Sequence, residues 1–252
     1  MNILILERDE IGARLPRGDR RWRHVREVLR KGRGERIAAG IADGELGSAT
    51  VLELDDGGMV LGFEPEREGE ALAPLTLILG FPRPIQAARI LRDLTSLGVA
   101  RIELTGTQLG EKSYTQSDFF SKKQFRLPLL EGAEQAGNPR LPRVRTHWTL
   151  ERCLAALDEP EAGEPRAEAG APAGPTRLFL HPYGDALDLG ALGEFGAPVS
   201  LAIGSERGWT EAEAGALRAA GFSPARLGRR ILKTETATLA ATIIVLSRLG
   251  LL

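Results

Sequence analysis

The sequence predicts an α/β domain preceded by a small β-rich module, and three observations carry that reading. From Leu75 onward an apolar strand, a helical stretch and a second strand follow one another, the order of a βαβ unit. Near the C-terminus two glycine-bearing turns, at Gly204 to Gly208 and at Leu227 to Leu232, each stand between a strand and a helix start. An open α/β sheet holds small ligands at such places. Before residue 70 the pattern is different: short apolar segments are parted by Gly, Asp-Gly and Asp-Asp-Gly-Gly turns, as in a compact barrel.

Each element follows from its local pattern. Ile3 to Leu6 is a short apolar run, and Val25, Val28 and Leu29 recur at helical spacing. Arg36 to Ala42, Gly47 to Leu54 and Gly58 to Phe63 read as strands, and the acidic stretch Glu64 to Pro74 as a linker or last edge. Leu75 to Gly80 opens the larger domain. A helix from about Ile85 to Leu97 is closed by Gly98, and Ala100 to Thr105 resumes as a strand. A helix follows from roughly Lys122 to Ala136, then a short strand near Val144 and a helix over Leu150 to Leu157. Asp158 to Pro175, poor in bulky apolar residues and rich in Ala, Gly, Pro and Glu, reads as an exposed loop or disordered insert. Leu178 to Leu180, Val199 to Ile203 and Ala225 to Leu227 supply further strands. Thr210 and Glu213 are spaced for a capping box that starts a helix closed by Gly221, and the last helix ends near Leu249.

Composition bounds the function. With 252 residues, 42% apolar and 5% aromatic, the chain can bury a sizeable, mainly aliphatic core. Its net charge of -1 is no global nucleic-acid signature, but the charge is segregated. Residues 1–36 hold eleven Arg or Lys against six acids, and residues 37–70 one against nine. Cys153 is the only cysteine, which excludes an internal disulfide and a cysteine-based zinc site. The N-terminus lacks the order of a signal peptide, and no stretch reaches the 18 apolar residues of a membrane span. The expectation is a soluble protein of a reducing compartment, without membrane or metal.

Neither glycine turn is a standard phosphate motif: GxGxxG and GxxxxGK[ST] are both absent. Gly204-Ser205-Glu206-Arg207-Gly208 reads either as a tight turn alone or as a cradle for a polar ligand. Thr234-Glu235-Thr236 is equally suited to a plain helix cap. Taken together, however, these residues resemble the C-terminal signature of the ribosomal RNA small subunit methyltransferase E (RsmE) family, of the SPOUT class. The family's Gly-Pro-Glu-Gly-Gly is matched by Gly204 to Gly208, and its Leu-Gly-x-Arg-Ile-Leu-Arg-Thr-Glu-Thr-Ala by Leu227 to Ala237. Upstream, His24 to Arg30 resembles the family's His-x-x-x-Val-Leu-Arg, and Glu131 to Asn138 its Glu-Ala-x-Glu-Gln-x-x-Arg.

The resemblance implies a PUA-like RNA-binding barrel over residues 1–70 and a SPOUT methyltransferase domain over 74–252, closed by a C-terminal deep trefoil knot. It implies a homodimer of the cytoplasm that binds S-adenosyl-L-methionine and methylates N3 of a uridine in small-subunit (16S) ribosomal RNA. The cofactor would meet Leu180, His181 and Pro182 at one strand end, and Ile203, Gly204, Ser205, Glu206 and Gly208 at the first turn. Leu227, Gly228, Ile231, Leu232 and Thr236 would complete its site. Arg230, Lys233 and Glu235 are the catalytic candidates. Glu206 and Glu235 both remain open as proton acceptor, because Arg230 is always protonated. Arg8, Arg23, His24, Arg26, Arg30 and Arg229 are the RNA-binding candidates.

Departures bear on the target. Ser205 and Arg207 replace a proline and a glycine, Asn138 an arginine, and Ser96 the acid before Leu97-Gly98. Arg83 or Arg89 takes the place of a lysine. The alternatives are methylation at another RNA site or atom, and a non-catalytic RNA-binding or ribosome-assembly protein.

Overall fold

The computed structural model describes residues 2–157, 175–184, 186–193 and 195–252. The expected insert, Pro175 apart, lies outside the described residues. The chain divides into two compact units, Met1–Ala71 with Leu127–Leu141, and Leu72–Arg126 with Pro142–Leu252.

Five strands form the first unit's sheet: β1 (Leu4–Leu6), β2 (Arg14–Pro16), β3 (Arg36–Ile41), β4 (Glu45–Asp55) and β5 (Gly58–Glu68), in the order β1-β3-β4-β5-β2. β1 runs parallel to β3, and the other pairs are antiparallel. The stretch read as a possible last edge thus begins as the end of β5. β2 has a single buried residue, Leu15, too little alternation to be read from sequence. Helix α1 (Arg20–Arg23) starts on Asp19, whose carboxylate accepts the Arg21 N–H at 2.8 Å. A wider turn of helix follows from His24 to Val28. Of the three apolar residues at helical spacing only Val25 is buried, while Val28 is 66% exposed. Trp22 and Val25 join Leu4, Leu6, Met59 and Leu61 in the core.

The second unit is a seven-stranded sheet in which every pairing is parallel. Its strands are β6 (Ala73–Gly80), β7 (Val99–Thr105), β8 (Arg143–His147), β9 (Thr176–Leu180), β10 (Leu187–Asp188), β11 (Val199–Ile203) and β12 (Ser223–Arg226). Their order is β10-β12-β9-β11-β6-β7-β8. A strand covered on both faces needs a continuous apolar run, and Leu77, Ile78 and Leu79 in β6 are all at 0% exposure. Each such side chain contributes about 1.5–3 kcal/mol.

The helices are α2 (Pro84–Ser96), α3 (Lys112–Thr115), α4 (Asp118–Ser121), α5 (Arg126–Ala136), α6 (Leu150–Leu157), α7 (Glu211–Ala219) and α8 (Thr234–Arg248). The helix expected from Lys122 begins later, because Lys123 takes a left-handed φ of 49° between α4 and α5. One apolar cluster joins Leu150 and Cys153 of α6 and Ala214 and Leu217 of α7 to Ile78, Phe179 and Ala202 of the sheet. Leu201 and Ile203, alternating with Ala202 along β11 and also buried, point to the other face. On one side of β6 the chain proceeds to β7 and β8, and on the other lie β11 and β9. The order therefore reverses at the β6–β11 boundary, where an open parallel sheet leaves a crevice beyond its strand ends.

Residues 127–141 belong to the first unit, and the Glu131 to Asn138 stretch shows why. Glu134 is 1% exposed. Arg20 grips both its oxygens, Nη2 to Oε1 at 2.7 Å, and its backbone carbonyl accepts the Asn2 N–H at 2.9 Å. Asn138 donates from Nδ2 to the Glu70 carbonyl at 3.0 Å.

Candidate functional site

Three loops at the carboxyl ends of β9, β11 and β12 converge. After β11, Gly204 lies so close to Gly208 that a Cβ on it would sit 2.8 Å from the Gly208 carbonyl carbon. Ser205 and Gly208 form an antiparallel bridge, with the Gly208 N–H donating to the Ser205 carbonyl at 2.8 Å. Gly208 holds a φ of 76°, in the left-handed region that favours glycine. Gly80, at the end of β6, is equally constrained, since a Cβ there would meet the Ser205 nitrogen at 2.5 Å. The turn is thus pressed against the sheet, and Trp209 buries itself in the core behind it. Thr210 then caps α7: its hydroxyl accepts the Glu213 N–H at 3.2 Å, and Glu213 Oε2 accepts the Thr210 N–H at 2.8 Å. The expected capping box is present, and Glu213 also accepts the Gln108 N–H at 2.8 Å.

After β9, the His181 N–H donates to the Ala225 carbonyl at 2.8 Å, which fixes Pro182 and Tyr183 beside the β12 loop. After β12, Gly228 turns the chain at φ 63° and leaves Ile231 73% exposed before α8 begins at Thr234.

These loops enclose a cleft of about 390 Å³, lined by Leu180, His181 and Pro182, by Ile203 to Gly208, and by Ile231 and Leu232. A smaller cavity of about 90 Å³ adds Leu227, Gly228 and Arg230. Every residue assigned to the cofactor by resemblance lines one of the two except Thr236, which is exposed on α8 while Ala237 lines both. Arg207, which replaces a glycine of the family's turn, also lines the cleft, as do Tyr183 and Trp209, which carry no motif in the sequence. Ser205 is 4% exposed, and neither its hydroxyl nor the Trp209 ring nitrogen has a hydrogen-bond partner among the described residues. Buried polar groups are rarely left without a partner, and these two stand beside the cleft.

A third cavity, of about 410 Å³, is lined by Pro82, Gln86 and Ile90 of the β6–α2 connection and by Glu206 and Ile231 to Glu235. Lys233 and Glu235 therefore face this cavity rather than the cleft, whereas Arg230 lies on the small one. Glu206 accepts the Arg83 N–H at 3.3 Å. Tyr114 and then Glu206 hold the Arg83 guanidinium above its usual pKa. Arg229 is exposed.

The first unit holds the other five RNA-binding candidates. Arg8 is paired with Glu45 at 2.9 Å and Arg26 with Asp56 at 2.8 Å, the latter also lying over the Trp22 ring. Arg23 and Arg30 have no ion-pair partner among the described residues. Burial pushes the His24 imidazole below its ordinary pKa, which favours its neutral form. Among the described residues no cluster of His, Cys, Asp or Glu could hold a metal, and no helix is long and apolar enough to cross a membrane.

Comparison with known proteins extends this geometry. A family described as an RNA methyltransferase domain matches residues 69–246. The chain is 39% identical over 251 residues to the ribosomal RNA small subunit methyltransferase E of Treponema pallidum, covering 98% of this chain and 91% of that one. It is 26% identical over 249 residues to ribosomal RNA small subunit methyltransferase E 1 of Borreliella burgdorferi, covering 99% of each. In fold it is similar to the crystal structure of a ribosomal RNA small subunit methyltransferase E from Neisseria gonorrhoeae bound to S-adenosyl methionine. There the TM-score is 0.71 at 24% identity, over 98% of this chain and 97% of that one.

Proposed function

The chain belongs to the RsmE-type family of SPOUT-class RNA methyltransferases, and from that premise we propose that it methylates N3 of one uridine in small-subunit (16S) ribosomal RNA. It is an S-adenosyl-L-methionine-dependent methyltransferase. One observation carries the reading: three strand-end loops, distant in sequence, meet in one cleft built around Gly204 and the orphaned Ser205 hydroxyl.

The cleft fits that cofactor. Backbone groups of a glycine turn can approach an adenine edge that side chains would crowd, and the Ser205 hydroxyl and Trp209 ring nitrogen offer unmade hydrogen bonds. S-adenosyl-L-methionine held between Leu180 to Pro182, Gly204 to Gly208 and Ile231 to Leu232 would supply an electrophilic methyl group for uracil N3 and would depart as S-adenosylhomocysteine. The protein holds the base in line and handles one proton. Glu235 accepts the N3 proton at a carboxylate oxygen, with Glu206 the second candidate. Lys233 and Arg230 stabilise the negative charge that develops on the uracil carbonyls. Arg8, Arg23, His24, Arg26, Arg30 and Arg229 hold the RNA backbone. N3 lies on the Watson–Crick edge, so the target must be unpaired or flipped out.

In this reading residues 1–70 are a PUA-like RNA-binding module and residues 74–252 the methyltransferase domain, except that 127–141 belong to the first compact unit. Leu232 and Ala237 line the same cleft as Leu180 and Gly204, which supports a C-terminal segment tucked into a deep trefoil knot. The working form is a homodimer in the cytoplasm. The test is mass spectrometry of nucleosides from small subunits of a strain lacking the gene, incubated with the protein and labelled S-adenosylmethionine. Labelled N3-methyluridine is the expected product. Label in another nucleoside, or none, overturns the assignment.

A further inference from the structure

We infer that the cavity of about 410 Å³ between the β6–α2 connection and the start of α8 is the target-base pocket, and that Gln86 reads a uracil carbonyl in it. The inference rests on the uridine-N3 reading and adds a site and a specificity-determining residue to it.

Position is the first argument. Pro82 follows β6 and Glu206 follows β11, neighbours in the sheet at the point where strand order reverses. That is where a parallel sheet presents its ligands. The cavity shares Glu206, Ile231, Leu232 and Thr234 with the cofactor cleft. A base in the one cavity therefore lies next to a methyl donor in the other, and transfer requires the two to open onto each other so that N3 and the methyl group meet in line.

Chemistry is the second. Five polar side chains line the cavity, Glu206 and Thr234 among them; the other three come from two helix starts, Gln86 in the first turn of α2, and Lys233 and Glu235 at the head of α8. None of the three side chains makes a hydrogen bond or ion pair among the described residues, although Gln86 is partly buried. Together they offer a donor from the Gln86 amide, an acceptor from the Glu235 carboxylate and a donor from the Lys233 ammonium. The Watson–Crick edge of uracil is the complement: a carbonyl acceptor, the N3–H donor and a second carbonyl acceptor. N3 loses its proton during transfer, so the flanking carbonyls must identify the base. Gln86 donates to one and Lys233 to the other. Cytosine presents an amino donor and an unprotonated N3. A flipped Gln86 amide could meet that amino group, but the Glu235 carboxylate would still face the N3 lone pair.

The probes are uridine and cytidine 5′-monophosphates, observed by saturation-transfer NMR with the full-length protein. Cofactor affinity by calorimetry and methyl transfer to unmethylated small subunits are measured alongside. Wild type is expected to prefer uridine monophosphate. Gln86→Ala and Gln86→Met should both narrow that preference, with Glu235 still opposing the cytosine N3 lone pair, and lower kcat/KM for transfer by about tenfold or more, the scale of one lost buried hydrogen bond to an uncompensated partner. Cofactor affinity should be unchanged, because Gln86 does not line the cleft; this also reports folding. A wild type without the preference, or a Gln86→Met variant that keeps it with unchanged kcat/KM, overturns the inference. A wild type that prefers uridine monophosphate, with the preference narrowed in both variants, but yields no N3-methyluridine overturns the proposed reaction while supporting the pocket.

Discussion

Replacing Gly204 with alanine tests the cleft at its tightest point. The added Cβ would stand 2.8, 3.0 and 3.1 Å from the carbonyl carbon, Cα and carbonyl oxygen of Gly208. All three are backbone atoms, so no side chain can swing aside, and the contact is relieved only if the Ser205–Gly208 bridge opens. Overpacking of this kind costs about 1–3 kcal/mol. If the free protein relaxes by opening the turn, the ligand must close it again, and the cost appears in binding as a roughly 5- to 150-fold weaker Kd for S-adenosylmethionine. If the turn cannot relax, the cost appears in stability, at about 2–4 °C of Tm per kcal/mol for a chain of this size. Calorimetric titration and thermal melting are therefore measured together. Gly215→Ala is the control: it lies on α7 with nothing within 4 Å of its Cβ, and should stabilise by about 0.5–1 kcal/mol without touching Kd. A Gly204→Ala protein with wild-type Kd and wild-type Tm would refute the reasoning, because the clash would then have no consequence anywhere.

Three further predictions concern charge. Glu103 is 1% exposed and held by Arg101, Arg145 and His147, the last at 2.7 Å, so Glu103→Gln should destabilise the fold by roughly 3–5 kcal/mol in chemical denaturation. Burial raises the Glu103 pKa, but hydrogen bonds from Arg145, His147 and Arg101 outweigh it and leave it below the ordinary 4.5. Its contribution is thus complete above 4.5 and lost as pH falls through the lower folded value; a Glu103→Gln deficit that persists unchanged at pH 2 would contradict this. Burial, then the Glu103 carboxylate, pushes the Cys153 thiol up to about 12, so iodoacetamide at pH 8 should label it only after unfolding. Arg23→Ala should flatten the salt dependence of RNA binding by about 0.7–0.9 in log–log slope, and Arg8→Ala, paired with Glu45, by less; equal slopes would place the RNA elsewhere.

What was legible in the sequence was what local chemistry fixes. Gly98 and Gly221, placed as helix stops, have φ of 76° and 83°, and Thr210 with Glu213 forms its capping box, because such signals depend on a few adjacent residues. The glycine turns were legible for the same reason. What sequence left out depends on partners brought together by the fold. Glu103 acquires Arg145 only because β7 and β8 pair in parallel with those two residues in register. Gln86 lines one cavity with Lys233 and Glu235, which stand 147 and 149 positions further along the chain. Glu213 looked like a cap alone, yet its second oxygen holds the Gln108 N–H. β2 and β10, of three and two residues, are too short for any period to show.

The charge segregation of the first seventy residues acquires a different meaning from the fold. Of the eleven Arg and Lys in residues 1–36, seven (Arg8, Arg14, Arg20, Arg21, Arg26, Lys31 and Arg36) are in ion pairs among the described residues. For Arg8, Arg14, Arg26 and Arg36 the partners are Glu45, Glu53 and Asp55, Asp56 and Glu64, all from the acidic block. Much of the apparent basic face is therefore cancelled by the strands beside it. Exposed pairs are worth only about 0–1 kcal/mol and are screened by salt, so Arg8, with a side chain 70% exposed, can exchange Glu45 for a phosphate at little cost. Arg21, 10% exposed between Glu10 and Asp19, cannot. Arg17, Arg23, Arg30 and Arg33 need no exchange, since none has an ion-pair partner among the described residues. An RNA that engages this unit would then be held by a small set of free arginines and a few that switch partner on binding, and the near-neutral net charge of -1 becomes compatible with a ribosomal substrate.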